Sequence, residues 1–405
     1  MTLFAAVELA PRDPILGLNE QFGADVRPHK VNLGVGVYFD DAGKLPLLAC
    51  VKAAEQQQND AAKPRGYLPI DGIAAYDKAV QRLVFGADAP VLQAGRVATV
   101  QALGGTGGLK LGADFLKKLN PGATVLISDP SWENHRALFT NAGFPVRTYA
   151  YYDAANRGVR FDAMLADLSA AAAGTIVVLH ACCHNPTGYD ISPAQWDQVI
   201  AVLQARRLVP FLDMAYQGFG DGIAEDGAVV QQFLASGLDF FVATSFSKSF
   251  SLYGERVGAL SVVCSSADEV ARVLSQLKIT IRTNYSTPPT HGAQVVAMVL
   301  DNTALRAMWE DELAGMRLRI KQMRALLQDK LQNQLRAAGV AQDFSFITRQ
   351  RGMFSYLGVS KPQMDRLRDE FAIYGVDTGR ICVAALNTRN IDAVVAAIGQ
   401  VLQRP

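Results

Sequence analysis

Apolar and polar positions along this chain follow two alternating rhythms. From about Gly66 onward, stretches with helical spacing take turns with short, continuous apolar runs. A helical stretch opens after Gly104-Gly105-Thr106-Gly107, Pro121-Gly122 breaks it, and Ala123–Ser128 reads as a buried strand. Thr175–His180 (TIVVLH), Val209–Asp213 and Phe240–Thr244 are strand-like, and Ser192–Arg206 reads as a helix with Ser192 as N-cap and Pro193 in its first turn. Strands that are apolar throughout and separated by helices belong in a mainly parallel sheet covered on both faces, so the expected class is α/β. Near Leu305 the pattern changes to a long, charged, helix-favouring run broken only by Gly315. A second unit is expected beyond it, with strands at Phe344–Ile347 and Met353–Leu357, a helix over Lys361–Phe371 and a last strand at Ile381–Ala384. The segment through about Lys44 lacks a period of its own and is expected to pack on that unit. The expected layout is an N-terminal segment (1–45), a large domain (46–310) and a small C-terminal domain (311–405).

Composition narrows the function. The 405 residues carry 39 Lys+Arg against 38 Asp+Glu, a net charge of +1, so no broad field draws the molecule to nucleic acid or an anionic membrane. Half the residues are hydrophobic, enough for a large core, yet no apolar stretch is long enough to span a bilayer. The N-terminus has no basic region and carries Glu8 in its apolar part, so a cytoplasmic location is expected. The five cysteines, Cys50, Cys182, Cys183, Cys264 and Cys382, form no spaced framework and read as reduced, buried side chains. Small-molecule chemistry is the default.

In an open α/β sheet ligands lie beyond the carboxyl ends of the strands, so the residues just past each apolar run matter most. Ala181–Gly188 (ACCHNPTG) follows TIVVLH; Asp213, Tyr216 and Gln217 follow VPFL; Ser245, Ser247 and Lys248 follow FFVAT. A lysine is ordinarily a solvated surface cation, but one at a strand end among small hydroxyls and aromatics is placed to act as a desolvated amine that forms Schiff bases. Asp213 alone would read as a turn or cap residue. Beside such a lysine it could pair with the protonated nitrogen of a pyridoxal ring and strengthen the ring as an electron sink. The glycine run 104–108 before a helix suits a phosphate, although tight packing alone would also explain it. A dinucleotide fingerprint fails there because Lys110 stands where its third glycine belongs, and no GxxxxGK[ST] loop is present. Adjacent Cys182-Cys183 lack zinc-finger spacing, so no metal is expected. His135 and His180 could orient cofactor groups or be satisfied structural histidines; His29 and His291 carry no signal.

Ser245–Gly258 (SFSKSFSLYGERVG) resembles in full the lysine signature of the class I pyridoxal-phosphate aminotransferases. The likeness extends over nearly the whole chain, through Leu33–Tyr38 (LGVGVY), Tyr67–Gly72 (YLPIDG), Gly104–Gly107 (GGTG), Pro130–Trp132 (PSW), Cys183–Gly188 (CHNPTG), Asp213–Phe219 (DMAYQGF), Asn284–Pro289 (NYSTPP) and Gly379-Arg380. It is similar to the bacterial aspartate/aromatic (tyrosine) branch. The resemblance implies the fold type I architecture, a large domain with a mainly parallel sheet plus a smaller α/β domain that closes over substrate, in a homodimer with shared active sites.

Residue by residue, the resemblance implies that Lys248 forms the Schiff base with pyridoxal 5'-phosphate and later shuttles a proton between the substrate α-carbon and the cofactor C4′. Asp213 would pair with the pyridine nitrogen, Asn185 and Tyr216 would bond the ring hydroxyl oxygen, and Trp132 would stack on the ring. Gly105, Thr106, Ser245, Arg256 and, from the other subunit, Tyr67 would hold the phosphate. Arg380, helped by Gly36 and Asn185, would bind the substrate α-carboxylate, and Arg282 from the other subunit a side-chain carboxylate. The implied reaction is a ping-pong exchange between an amino acid and 2-oxoglutarate. Phe39, Leu45 and Thr287, the last where the aspartate branch usually carries Asn, shift the pocket partly toward aromatic substrates, whereas Gly66 and Thr106 do not. Aromatic amino acids and aspartate are both expected as donors, with a strict aspartate enzyme as the alternative and a lyase or decarboxylase of the same fold behind it.

Overall fold

The computed structural model describes residues 2–13, 15–339 and 342–403. These divide into two compact units, one of Leu45–Lys321 with Arg349–Gly352, the other of Met1–Lys44, Gln322–Thr348 and Met353–Pro405. The division falls inside one helix, Thr303–Ala337, which runs through Gly315 without a break.

The larger unit is organised by seven strands: β1 (Val97–Leu103), β2 (Val125–Asp129), β3 (Val146–Ala150), β4 (Ile176–His180), β5 (Val209–Met214), β6 (Phe240–Ser245) and β7 (Val257–Val263). Their order across the sheet is β1-β7-β6-β5-β4-β2-β3. The β2–β3, β2–β4, β4–β5 and β5–β6 pairings are parallel, as continuous apolar runs between helices lead one to expect. β7 is the exception, antiparallel to both β6 and β1. Every residue of β4, β6 and β7 is buried, which requires cover on both sheet faces. The helix Gly104–Leu119 supplies part of it and lies very close to the sheet: a Cβ on Gly112 would stand 2.5 Å from Cζ of Phe211, and one on Gly108 2.8 Å from the Ala259 carbonyl oxygen. Phe211 and Phe241 pack here with Leu260, Ile127 and Leu277 in one continuous core. Ser192 caps the helix Pro193–Arg206 in a full capping box with Gln195, with Pro193 in the first turn.

The smaller unit joins the chain's two ends. Val31–Asn32 pairs in parallel with Ile373–Tyr374, and Phe354–Tyr356 antiparallel with Arg380–Cys382. The Leu33 amide donates to the Tyr374 carbonyl and the Cys382 amide to Leu33. Arg27, paired with Asp25, also donates to the carbonyls of Arg368 and Asp369 at the end of the helix Lys361–Phe371.

Two expected strands are corrected. Phe344–Ile347 is not a strand; a short helix covers Phe346–Arg349. The Asp343 carboxylate accepts from the Ser345 amide at 2.8 Å, and an acid bonded ahead of a short apolar run starts a helical turn where alternation alone suggests a strand. Ile381–Ala384 is strand only to Cys382, after which Val383–Ala385 forms a 3-10 turn. All five cysteines are free and buried, and no helix among the described residues is long and apolar enough to cross a membrane.

Candidate active site

Neighbouring strand ends bring the first charged group together. His180 ends β4 directly opposite Asp213 of β5, and the Ala181 amide donates to the Asp213 carbonyl. The buried Asp213 carboxylate lies 2.9 Å from Nε2 of fully buried His135, whose Nδ1 is 2.8 Å from Oγ of Ser131. Burial alone would raise the Asp213 pKa. The hydrogen bond and charge of His135, with the charge of Lys248 behind them, outweigh it and hold Asp213 below the ordinary carboxylate range. Asp213 is therefore a fixed anion, suited to accept from a cationic ring N–H. His180 sits between the rings of His135 and His184, at 5.0 and 4.2 Å, and both its ring nitrogens are buried without a hydrogen-bond partner. Burial first, then the charge of His135, lowers its pKa to about 3 against the opposing pull of Asp213, which keeps the ring neutral at physiological pH.

Lys248 lies in the turn after β6, half-buried, with Nζ 4.8 Å from the centroid of the Tyr216 ring. Tyr216 and Asn185 are themselves buried, at the ends of the β5 and β4 loops. Trp132 meets His135 edge-on at 5.2 Å. Trp132, Asn185, Tyr216 and Lys248 thus come from the segments after β2, β4, β5 and β6, as the strand-end rule requires.

A second cluster is suited to an anion. The helix Gly104–Leu119 begins at its glycines with no side-chain cap; the Gly104 amide donates to the Arg256 carbonyl, and the amides that follow it are left for a ligand. A Cβ on Gly104 would stand 2.6 Å from Nη2 of Arg256, and one on Gly105 3.0 Å from Cβ of Ser245, so only glycine leaves this cradle open. Arg256 also donates to Oγ of Ser247 and to the Tyr253 carbonyl. Uncapped amides, a guanidinium and the hydroxyls of Thr106 and Ser245 form a donor set that fits a phosphate. Together with Asp213 and the unsatisfied His180 nitrogens, they fit a phosphorylated pyridine.

Other expected residues make contacts of their own. Tyr67 is 97% exposed, and Arg282, exposed at the end of the helix Ala267–Asn284, donates to Oγ of Ser286; no hydrogen bond links either to Asp213 or His135. In the smaller unit, Arg380 is buried, donates to the Gly34 carbonyl at 2.7 Å and places its guanidinium 4.3 Å from the centroid of the Phe354 ring. A Cβ on Gly36 would come within 2.7 Å of that ring.

Sequence reasoning missed two acids that shape the loops. Asp190 accepts from the amides of Cys183 and His184 at 2.8 and 2.9 Å, fixing the bend just before Asn185. Asp226 accepts from Gly218, Gly220 and Asp221, closing the turn after Tyr216. Burial raises the pKa of both against these amides. Asp226 also brings an oxygen near the Cys182 and Cys183 sulfurs, but it is already engaged by three amides, and burial with nearby carboxylates places the Cys182 thiol at about 11 despite the opposing hydrogen bond with Cys183. The one sequence signal for Asp226 is an acid shortly after the glycine pair 218 and 220.

Comparison with known proteins meets this geometry at every scale. The family model for aminotransferase class I and II matches residues 28–398. An aspartate aminotransferase of Pseudomonas aeruginosa is 64% identical over 99% of this chain and 100% of its own. An aromatic-amino-acid aminotransferase of Escherichia coli is 51% identical over 99% of this chain and 100% of its own. A crystal structure of an aromatic-amino-acid aminotransferase from Burkholderia pseudomallei, covalently bound to pyridoxal phosphate, superposes with a TM-score of 0.96 at 65% identity, covering 99% of this chain and 100% of that one. Likeness of this extent in both sequence and fold places the chain in the class I and II aminotransferase family.

Proposed function

We propose that this protein is a pyridoxal 5'-phosphate-dependent aminotransferase that exchanges the amino group between aromatic amino acids or aspartate and 2-oxoglutarate, working in the cytoplasm as a homodimer with shared sites. The observation that carries this reading is the half-buried Lys248 against Tyr216, with the Asp213 anion backed by a buried histidine. When bound, the cofactor supplies an electron sink for the pair left at the substrate α-carbon.

The chain's own residues do the rest. Lys248 holds the cofactor covalently through Nζ and, once released, moves a proton from the substrate α-carbon. Asp213 keeps the ring nitrogen protonated, and Ser131 and His135 keep Asp213 oriented and charged. Asn185 and Tyr216 hold the ring oxygen, and Trp132 covers the ring. Gly105, Thr106, Ser245, Arg256 and the partner subunit's Tyr67 hold the phosphate. Arg380 takes the α-carboxylate, helped by Gly36 and Asn185, and the partner subunit's Arg282 a side-chain carboxylate. An exposed Tyr67 is what such a donation across an interface requires.

Both donor classes fit because Phe39 and Leu45 offer apolar surface, worth about 1.5–3 kcal/mol for a large apolar side chain, while Arg282 serves the dicarboxylate. Borohydride reduction and peptide mapping test the covalent role: a pyridoxyl adduct is expected on Lys248, and one on any other lysine refutes it. A donor panel with 2-oxoglutarate tests specificity, and turnover of aspartate with none of phenylalanine or tyrosine identifies a strict aspartate enzyme.

A further inference from the structure

We propose that Arg324 is a positioning residue for the substrate-binding Arg380 and that it acts through Phe354. The inference rests on the reading that Arg380 binds the α-carboxylate, and it assigns a role to a residue outside that set. Arg324, on the helix Thr303–Ala337, is 3% exposed, an unusual place for a guanidinium unless it has structured acceptors. It donates from Nη1 to the Ile347 carbonyl at 3.2 Å and from Nη2 to the Phe354 carbonyl. One rigid fork thereby pins two points of the segment that leads into the strand Phe354–Tyr356.

That pin matters because of what else Phe354 touches. Phe354 and Cys382 form a non-hydrogen-bonded pair of the antiparallel ladder, flanked by the bonds from the Val383 amide to the Met353 carbonyl and from the Leu357 amide to the Gly379 carbonyl. The Phe354 carbonyl therefore points away from that strand, toward Arg324, while the Cys382 amide donates outward to Leu33 at 2.7 Å. The Phe354 ring lies on the Arg380 guanidinium at 4.3 Å and fills the space that a Cβ on Gly36 would need. Arg380 is thus held from one side by the Phe354 face and from another by the Gly34 carbonyl. A guanidinium lying on a ring keeps its plane only while the ring keeps its own, and the ring is carried by the backbone that Arg324 holds. Arg324 therefore fixes the orientation of Arg380 before substrate arrives, and two-point recognition of a carboxylate depends on such preorganisation.

The test measures kcat and KM of the holoenzyme for aspartate and phenylalanine, with urea unfolding alongside, in Arg324→Lys, Phe354→Leu, their double variant and Arg380→Lys. A lysine at 324 keeps the charge but loses the fork. Arg324→Lys should raise KM about tenfold for both donors, since both carry the α-carboxylate, and leave kcat within about twofold. Phe354→Leu should do the same, and the double variant should be little worse than either, because both changes break one path. An unchanged KM with a lowered unfolding midpoint would reduce Arg324 to a structural role, and additive effects would break the path through Phe354. If Arg324→Lys does not accumulate as folded protein, Phe354→Leu carries the decision: its KM must rise, or the inference fails. Arg380→Lys separates the two levels. If KM is unmoved there, the carboxylate-binding reading of Arg380 is what fails; if KM rises there but not in Arg324→Lys, only the present inference does.

Discussion

Arg282 and His180 answer different questions about single side chains. Arg282 is exposed and lightly held by Ser286, free to meet a second carboxylate. Replacing it by leucine should lower kcat/KM for aspartate by about a hundredfold or more and for phenylalanine by less than about fivefold, because only aspartate then leaves a charge unmatched. Steady-state kinetics with both donors checks this. His180 bears on acid stability. Its folded pKa of about 3 lies far below that of an exposed histidine, so the unfolded chain binds the proton first, and stability present above about pH 6.5 is lost as pH falls toward 3. His184, lowered in the same direction by burial, adds to this loss. Asp213 contributes only below about pH 4, where unfolded carboxylates protonate, and the raised Asp190 and Asp226 act in the opposite sense above that, so the histidine contribution is read from the difference between variant and parent. Urea midpoints at pH 7 and 4.5 should fall less between the two in His180→Gln than in the parent, whatever its starting stability. The placement of Asp213 at the end of an apolar strand, and of Lys248, Asn185 and Tyr216 just beyond one, was legible in the sequence. Asp190 and Asp226 were not, since their partners are backbone amides, which leave no pattern of residue types.

Elements follow the same division between local and distant causes. The helix after Ser192 was readable because cap and proline are neighbours in sequence, and the structure adds Gln195, which completes a capping box, Ser192 amide to Gln195 Oε1 at 2.8 Å and Gln195 amide to Ser192 Oγ at 3.3 Å. Ser192→Ala should cost about 1 kcal/mol in urea unfolding with unchanged kinetic constants, since the cap is exposed. The reversal of β7 was not readable: an all-buried apolar run reads the same in either direction, and its two partners decide. The short helix at 346–349 escaped for a similar reason, its alternating apolar pattern outvoted by the turn that Asp343 makes with the Ser345 amide just before it.

At the scale of the whole molecule, the proposed sharing of sites between subunits is what a single chain carries least visibly, and mixed dimers test it. Arg282→Leu homodimers should handle aspartate poorly and Lys248→Ala homodimers not at all. Heterodimers of the two should recover about half the parental rate, because one of their two sites then draws a native Lys248 from one chain and a native Arg282 from the other. Tagged heterodimers assayed with aspartate decide this, and no recovery would mean that each site is built from one chain. The reversed β7 also bears on how the protein is made. Among the described residues β1 hydrogen-bonds in the sheet only to β7, so the strand that leads into the phosphate cradle stays unpaired while residues 104–256 leave the ribosome. The nascent chain therefore holds the rest of the sheet before its cofactor pocket exists, and vitamin-derived cofactor can be captured only after synthesis has passed Val263 of the 405 residues.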